Sequence, residues 1–380
     1  MQPKKKSMGF FITVFLLHTF INVYIFRKGW KTLPDSPIGK TMYGIAFFFL
    51  YSSFILAMLG RNFLPLGIQK VFYLPGTVWL GAMLYLTLWF LMTDGILLIY
   101  RLISSTGKRT KRLLLSRIQV LAGYALVIAV LANGYYRFTH PAVVEKTIEI
   151  RKSGGKHREL RIVAISDLHL GVAIDKKSLQ KYVQLINEQH PDLILIGGDL
   201  VDNNLLPLNL ENMQEELNRL QAPLGVYMCL GNHEYLSGIT AGLAFLQKTQ
   251  IQLLIDRAVS VDGSFWIIGR DDTQGNPQRQ ALETLVAQTC PTQPLLLIDH
   301  EPWTPNEAVE NRIDLQFSGH THHGQIWPLN YIASRIFTIA YGYVKTGDTH
   351  IYVSSGLGLW GPPFRIGTQS EIVVFHLQFI

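Results

Sequence analysis

At 380 residues, with 48% hydrophobic and 16% charged residues and a formal net charge of +7, the chain is long enough to form two structural units. Its two cysteines, Cys229 and Cys290, form no CxxC pair, so the sequence indicates neither a thiolate zinc site nor a disulfide framework. Much of the basic excess lies beside apolar segments, which is typical of membrane flanks and not of a nucleic-acid-binding surface. We therefore expect a lipid bilayer as a partner and no nucleic acid.

Long apolar runs dominate the first 140 residues and predict an all-α transmembrane region. Four segments are long enough to cross a bilayer, at about 9–26, 41–59, 77–100 and 113–135. Three lysines, Lys4 to Lys6, precede the first segment as in a signal peptide, but no small-x-small cleavage site follows it. The sequence therefore predicts a multi-pass protein of the cell (inner) membrane, with a transmembrane region at 1–140 and a second domain at 144–380.

Basic residues around the predicted spans give conflicting indications of orientation. The positive-inside rule places basic loops in the cytoplasm. The loops after the first and third spans are basic and favour an extracytoplasmic second domain, whereas Lys4 to Lys6 favour a cytoplasmic one. The two loops contain more basic residues than the N-terminal tail, so they favour the extracytoplasmic orientation. Their basic residues are Arg27, Lys28, Lys31 and Lys40 in the first loop, and Arg101, Lys108, Arg109, Lys111 and Arg112 in the third.

Two charged residues, Asp94 and Arg117, lie inside the predicted spans. Asp94 is about two turns before the end of the third span and Arg117 about one turn into the fourth, so their depths differ by only a few ångström. An Asp94–Arg117 pair would remove the cost of a lone charge in lipid. Alternatively, Arg117 extends to the membrane interface.

Beyond residue 144, strand-like runs alternate with helical patterns, predicted at 176–189, 210–220, 239–248, 279–288 and 305–311. Apolar runs at 160–165, 193–196, 226–230 and 295–298, and the shorter Leu315-Gln316-Phe317, are each followed by polar residues. These polar blocks are Asp167-Leu168-His169, Gly198-Asp199, Gly231-Asn232-His233-Glu234, His300, and Gly319-His320-Thr321-His322. Because site residues cluster at the carboxyl ends of strands in open α/β sheets, we expect the five blocks to meet.

The residue types in these blocks are metal ligands. Carboxylates, neutral imidazoles and one amide suit two divalent metals bound through oxygen and nitrogen. Singly, a DxH is often a turn Asp beside a solvated His, and His300 has a hydrogen-bonded alternative. Together the blocks predict a dinuclear site, with manganese as the first choice and iron or zinc as alternatives. Two such metals can activate water, so we expect hydrolysis of a phosphoester or phosphoanhydride without a nucleophilic Ser or Cys, and the sequence has no G-x-S-x-G.

The block order resembles the DxH, GD, GNH(D/E), H, GHxH pattern of the calcineurin-like metallophosphoesterases, over about 144–380. Within that superfamily the chain looks most like a membrane-anchored bacterial branch of phosphodiesterases and UDP-2,3-diacylglucosamine hydrolases. The similarity includes GHTHHGQ at 319–325, SGLG at 355–358, Pro363-Phe364-Arg365 and Glu371-Ile372, with His323 in place of the branch's usual Gly. The resemblance implies an α/β fold, a four-layer α-β-β-α sandwich of two mixed sheets, after a four-helix transmembrane region.

The resemblance also implies roles for individual residues. A first metal is bound by Asp167, His169 and His322, a second by Asn232, His300 and His320, and Asp199 bridges both. His233 is a non-ligand that protonates the leaving oxygen or stabilises charge in the transition state, and Asp202 orients it unless Asp202 is an ordinary turn residue. Glu234 and His323 are expected to support the ligands. Arg365, like Arg270, contacts either phosphate or an acidic side chain.

The membrane region favours a lipid-linked phosphate as substrate, such as UDP-2,3-diacylglucosamine or another phospholipid or envelope phosphate. Aromatic residues near the last motifs either receive acyl chains, face the bilayer or pack in the core; they are Trp303, Trp327, Tyr331, Phe337, Trp360 and Phe364. The rival prediction is a catalytically weak, membrane-anchored binding or sensing module that retains the fold. The sequence does not predict an oligomeric state.

Overall fold

The computed structural model describes residues 4–61, 63–103 and 109–380 and forms two compact units, 1–134 and 135–380. Lys108 of the predicted third loop lies outside the described residues. The second unit starts earlier than the predicted position 144, because Phe138 is buried in its core and its first strand begins at Ala142. The long helices are α1 (Lys4–Thr32), α2 (Pro37–Gly60), α3 (Leu66–Ile103) and α4 (Arg109–Thr139).

Three of the described helices are long and apolar enough to cross a membrane, at Pro37–Gly60, Leu66–Tyr100 and Leu114–Thr139. The first predicted span, 9–26, lies within α1 but is not one of these three, so its insertion stays a prediction. Helices α2 and α3 pack closely at Gly76, where a Cβ atom would lie 2.5 Å from the backbone nitrogen of Phe54. Small residues allow such close approach between apolar helices.

Asp94 and Arg117 do not pair with each other, although such a pair was one of the two alternatives for these residues. Asp94 on α3 forms a salt bridge with Lys28 of α1. Its carboxylate also accepts hydrogen bonds from Tyr24 Oη at 2.8 Å and Gln119 Nε2 at 2.9 Å. Arg117 Nε instead donates to the carbonyl oxygen of Thr32 at 3.1 Å. Of the two alternatives that the sequence left open, the Asp94–Arg117 pair is not formed, because Lys28 of α1 supplies the cation.

The second unit contains two six-stranded mixed sheets. In the first sheet the order is β1-β12-β2-β3-β4-β5, with only the β12–β2 pair antiparallel. In the second sheet the order is β10-β11-β9-β8-β7-β6, with antiparallel pairs at both edges. The strands are β1 (Ala142–Ile150), β2 (Glu159–Ile165), β3 (Leu193–Ile196), β4 (Val226–Cys229), β5 (Gln252–Leu254), β6 (Arg257–Val261), β7 (Phe265–Gly269), β8 (Leu295–Ile298), β9 (Leu315–Ser318), β10 (Gly342–Thr346), β11 (Thr349–Val353) and β12 (Glu371–Phe379).

The buried apolar residues of the second unit form three clusters. One cluster joins strands of both sheets, for example Phe317 of β9 against Phe375 of β12, with ring centroids 6.2 Å apart. A second cluster packs helices onto the outer face of the first sheet, and a third packs helices onto the outer face of the second sheet. The predicted two-sheet sandwich with outer helices is therefore confirmed.

The helices of the second unit are short and follow amphipathic patterns. Helix α5 begins after Asp175, whose carboxylate accepts from Ser178 N at 3.0 Å and caps the first turn. The predicted helix at 210–220 is wrong, because Asn212 adopts a left-handed φ of 51° that separates α6 from α7. The full set is α5 (Lys176–Asn187), α6 (Leu206–Leu210), α7 (Met213–Leu217), α8 (Asn232–Leu236), α9 (Ile239–Leu246), α10 (Leu282–Val286), α11 (Pro305–Glu310) and α12 (Leu329–Ile336).

Candidate dinuclear metal site

Five loops that leave the carboxyl ends of strands bring the candidate ligands together. The first sheet supplies the loops after β2, β3 and β4, which are neighbours in that order. The second sheet supplies the loops after β8 and β9, which are also neighbours. Because the sheets pack face to face, the polar blocks that were predicted to meet do so at one edge of the sandwich.

The backbone is unusual at these loops. Five candidate ligands have left-handed φ angles: Asp167 at 55°, His169 at 47°, Asp199 at 53°, His320 at 68° and His322 at 49°. For residues with a side chain this conformation costs on the order of 1 kcal/mol or more each, and it clusters at functional sites. Asp and His adopt this conformation more readily than most residues that carry a side chain.

Two glycines allow the loops to approach each other. A Cβ atom at Gly231 would lie 2.2 Å from Oδ1 of Asp199, and one at Gly319 would lie 2.4 Å from Oδ2 of Asp167. Any larger residue at either position would displace a carboxylate. The close approach of the loops therefore explains why glycine occupies these two positions of the sequence motifs.

Asp167, His169 and His322 form the first group of ligand atoms, all within 4.8 Å of one another. His322 Nε2 lies 3.4 Å from Asp167 Oδ1. The Nε2 atoms of His169 and His322 face each other at 3.1 Å. All three side chains are buried, and their ligand atoms lie close enough together to share one metal ion.

Asp199, His300 and His320 form the second group, again within 4.8 Å. His300 donates Nδ1–H to the carbonyl oxygen of Gly197 at 2.7 Å, which leaves Nε2 free to face Asp199 Oδ2 at 3.2 Å. Such a second hydrogen bond fixes the tautomer of a metal-binding imidazole. Asn232 Oδ1 completes the group, 3.3 Å from His300 Nε2 and 3.0 Å from His320 Nδ1.

Asp199 lies between the two groups. Its Oδ2 atom is 3.2 Å from His300 Nε2 and 3.7 Å from His169 Nε2, which belongs to the other group. Its Oδ1 atom accepts the backbone N–H of His233 at 2.8 Å, which fixes the orientation of the carboxylate. This geometry suits a bridging ligand.

The charge balance of the site fits bound cations. Asp167 and Asp199 are buried, and among the described residues their ion-pair partners are all histidines. A buried carboxylate normally pairs with a cation or binds a metal. The donor set of carboxylate, imidazole and amide therefore fits two divalent metals.

The pKa values follow from burial and from the clustered charges. Burial raises the pKa of Asp167 to about 6 and lowers those of His169 and His322, which keeps both imidazoles neutral, as metal ligands must be. Burial alone would also raise the pKa of Asp199, but His300 and the other imidazoles outweigh it and lower that pKa. The pKa of His300 is raised because Asp199 outweighs burial.

His233 lies beside the two groups and is partly accessible. Its Nδ1 atom donates to the main-chain carbonyl oxygen of Asp202 at 2.5 Å, while the carboxylate of Asp202 is 3.7 Å away. The main chain of Asp202 thus makes the shorter contact, although the family resemblance implied its carboxylate. Burial lowers the pKa of His233, but Asp199 and Asp202 outweigh it and raise that pKa. His233 Nε2 or Nδ1 also lies within 4.8 Å of ligand atoms of His169 and Asp199.

Glu234 is buried and holds the backbone of two ligand loops. Its Oε1 atom accepts the N–H groups of Leu200 at 2.8 Å and Val201 at 3.1 Å. Its Oε2 atom accepts those of Asp199 at 3.1 Å and Gly231 at 2.8 Å. The carboxylate is used entirely by backbone donors, which is the supporting position that the sequence suggested.

Arg365 is also buried, and its guanidinium donates to carbonyl oxygens of the chain. Nη1 bonds to His322 O and Nη2 to Gly356 O, both at 3.1 Å, and Nη2 bonds to Gly358 O as well. These contacts hold the loop of His322. Arg270 pairs with Glu307 at 2.6 Å and is equally buried, so neither arginine is presented to a phosphate.

His323 takes the position where the resembling branch has Gly. It adopts a left-handed φ of 49°, and its ring stacks on Tyr341 with centroids 4.4 Å apart and planes at 8°. The imidazole is thus accommodated beside the ligand loop.

Glu301 is a site residue that sequence reasoning missed. It is buried directly after His300, and its Oε1 atom lies 3.5 Å from His320 Nε2. Thr273 Oγ1 and Gln274 Nε2 donate to its two oxygens. Because Nδ1 of His320 faces Asn232, Glu301 faces the opposite nitrogen of a candidate ligand. Its position next to His300 was the available signal.

Comparisons with known proteins agree with this geometry. The sequence model of the calcineurin-like phosphoesterases matches residues 160–324. The chain is 30% identical to an uncharacterized metallophosphoesterase of Campylobacter jejuni, over 97% of this chain and 98% of that protein. It is 29% identical to a transmembrane protein with metallophosphoesterase domain of Bos taurus, over 94% and 86%. It is 33% identical to an uncharacterized metallophosphoesterase of Aquifex aeolicus, over 67% and 98%.

The near full-length match at 30% identity and the ligand groups on a two-sheet fold lead to one assignment. The chain belongs to the calcineurin-like metallophosphoesterases and is a metal-dependent phosphoester hydrolase.

Proposed function

We propose that this enzyme is a membrane-bound, two-metal phosphohydrolase that cleaves a phosphodiester or pyrophosphate bond of a lipid-linked substrate. The observation that carries the two-metal part is the position of Asp199 between two groups of ligand atoms. Asp167, His169 and His322 would hold one metal, and Asn232, His300 and His320 the other. Manganese is our first choice, since its preference for oxygen and nitrogen ligands suits this set, with iron or zinc as alternatives.

Bound metals supply Lewis-acid activation of water and neutralise charge on the phosphoryl oxygens. The chain supplies the acid. Because the Nδ1–H of His233 is used by the carbonyl oxygen of Asp202, only Nε2 can deliver a proton to the leaving oxygen. The raised pKa of His233 favours the protonated form that this step needs. Asp202 would stabilise the imidazolium from 3.7 Å.

Apolar rings beside the second ligand group support a lipid-linked substrate. The ring centroids of Trp303 and Phe337 are 4.3 Å apart, and the ring centroids of Phe337 and His320 are 5.8 Å apart. Three helices long enough to cross a membrane precede the catalytic unit in the same chain. UDP-2,3-diacylglucosamine and other phospholipid or envelope phosphates fit these features.

Location and substrate are linked. The basic loops favour an inner-membrane protein with its catalytic unit outside the cytoplasm, whereas UDP-2,3-diacylglucosamine is made inside. An extracytoplasmic active site would therefore act on another envelope phosphate. Paired cytoplasmic and periplasmic reporter fusions at the C-terminus would decide between these substrates.

The test of function uses the full chain in lipid nanodiscs, with metal content measured beside turnover. We expect about two metals per chain and hydrolysis of both a soluble phosphodiester and a lipid-linked pyrophosphate. Asp199→Asn should abolish turnover and lower the metal content, because one carboxylate serves both ions. Retention of both metals by that variant would refute the bridging role. Tight phosphate binding without turnover in the parent enzyme would instead indicate the binding or sensing module.

A further inference from the structure

Helix α12 presents an apolar stripe to solvent. Leu329, Ile332 and Ile336 are spaced three and four residues apart, so they lie on one side of the helix. They are 39%, 54% and 56% exposed, and Ala333 is the one buried residue of the helix. A surface helix normally packs such a stripe onto the core. An exposed stripe of this kind marks an interaction surface.

Half-exposed tryptophans flank the stripe at both ends. Trp327 precedes α12 and is 44% exposed, and Trp303 packs on Phe337 just after it. Tryptophan combines an apolar ring with a polar N–H and is enriched at the level of lipid headgroups. We call these five residues the α12 surface: Trp303, Trp327, Leu329, Ile332 and Ile336.

The segment that carries four of these five residues, Trp327, Leu329, Ile332 and Ile336, is basic. No acidic residue occurs between Asp314 and Asp348. The same segment contains Arg335 on α12 and Lys345 on β10, both exposed. Anionic headgroups attract exposed Lys and Arg by about 1 kcal/mol each close to the surface. The segment is therefore suited to an anionic partner with an apolar interior.

The α12 surface is continuous with the candidate active site. Helix α12 packs against the turn that carries His322, since a Cβ at Gly324 would lie 2.3 Å from Asn330 N. At the other end Phe337 connects Trp303 to the ring of His320. A partner bound to this surface would therefore lie beside the metal ligands.

We propose that the α12 surface docks onto an anionic lipid bilayer and brings the active site to the phosphates of membrane lipids. The proposal rests on the proposed membrane-bound function. If the preceding helices cross a bilayer, the chain connection raises the local concentration of that bilayer, because only a short segment joins the end of α4 at Thr139 to the start of β1 at Ala142. A second copy of the chain is the less suitable occupant. Stable interfaces bury about 800 Å² per partner, more than five partly exposed side chains provide.

The first experiment locates residue 332 relative to the bilayer in the full chain. A nitroxide is attached to Ile332→Cys in a Cys290→Ser background, in nanodiscs that contain phosphatidylglycerol, while buried Cys229 stays unlabelled. Leu210→Cys on α6 is the matched control, since Leu210 is 60% exposed. We expect the label at 332 to collide more with oxygen than with a water-soluble nickel chelate, and the label at 210 to show the reverse.

Two results would overturn docking. One is a label at 332 that is as accessible to the nickel chelate as the label at 210. The other is spin–spin broadening at 332 that disappears on dilution with unlabelled chain, which would assign the α12 surface to self-association. Neither readout depends on turnover, so they remain informative if the proposed substrate class is wrong.

The second experiment replaces Ile332 and Ile336 together by Asp in the full chain, with Leu210→Asp as the control. Hydrolysis of a soluble phosphodiester should be unchanged in both variants, because none of these side chains contacts the candidate ligands. Hydrolysis of a lipid-linked pyrophosphate in phosphatidylglycerol nanodiscs should fall by about tenfold or more in the double variant alone, as local concentration is lost. Equal activity of the double variant and the parent on the lipid substrate would refute the docking role. Absence of turnover in the parent would refute the proposed function instead.

Discussion

Replacing Glu234 by Gln tests whether the ligand loops are held by this buried carboxylate. Each of its oxygens accepts two backbone N–H groups, so four donors depend on it. An amide has one oxygen and one NH₂ group. Whichever way it turns, two buried N–H groups lose their acceptor and face another donor. Each such group costs about 1–3 kcal/mol, which gives a loss of about 2–6 kcal/mol in the free energy of unfolding.

The assay is thermal unfolding of a chain that begins at Tyr135 and contains both sheets and their cores. For a unit of this size a loss of about 2 kcal/mol lowers Tm by at least about 4 °C. Glu283→Gln, on the exposed side of α10, is the control and should change the free energy of unfolding by less than about 0.5 kcal/mol. A change below about 1 kcal/mol for Glu234→Gln would refute the view that backbone donors use this carboxylate.

Three further predictions concern the acid, a supporting carboxylate and the membrane unit. His233→Ala should keep both metals but lose about 10²–10⁴ in rate on substrates with a poor leaving group. The loss should be much smaller on p-nitrophenyl esters. Loss of a metal, measured by elemental analysis, would make His233 a ligand. Glu301→Gln should weaken binding of one metal by about 10–100-fold in a competition titration and leave binding of the other unchanged, because only His320 loses its carboxylate partner. Equal weakening of both metals would indicate that the whole site has become less ordered. The chain that begins at Tyr135 should hydrolyse a soluble phosphodiester as fast as the full chain does but act poorly on a lipid-linked substrate in vesicles. Equal activity of the two chains on the lipid-linked substrate would remove the main support for lipid substrates.

Local pattern was sufficient to predict the strands and the meeting of the five blocks, whereas the two-sheet sandwich was implied by the family resemblance and not by periodicity. Fully apolar runs such as 193–196 and 295–298 are buried strands, and polar residues directly after parallel strands must converge at one edge of the sheets. The pattern failed where a single backbone angle decides. The left-handed Asn212 interrupts the helix predicted at 210–220, so that α6 ends at Leu210 and α7 begins at Met213, and no periodicity reports such an angle.

Contacts between distant segments were the other limit. The pairing of Asp94 with Lys28 joins residues 66 positions apart, and depth along neighbouring spans could not identify it. The contact of Glu301 with His320 likewise depends on two loops of the second sheet. In both cases the residue type was visible in the sequence, but the partner was fixed only by packing.

Two buried charges that touch no candidate substrate explain how the strained ligand loops are held. Asp199 and His322 both have left-handed φ angles, at a cost on the order of 1 kcal/mol or more each. Glu234 accepts the N–H of Asp199 and of its neighbours, and Arg365 donates to the carbonyl oxygen of His322. Hydrogen bonds to charged groups contribute about 1.5–3 kcal/mol each, which is enough to offset that strain. These hydrogen bonds therefore hold the ligand loops in place, and both side chains support the site although neither is a candidate metal ligand.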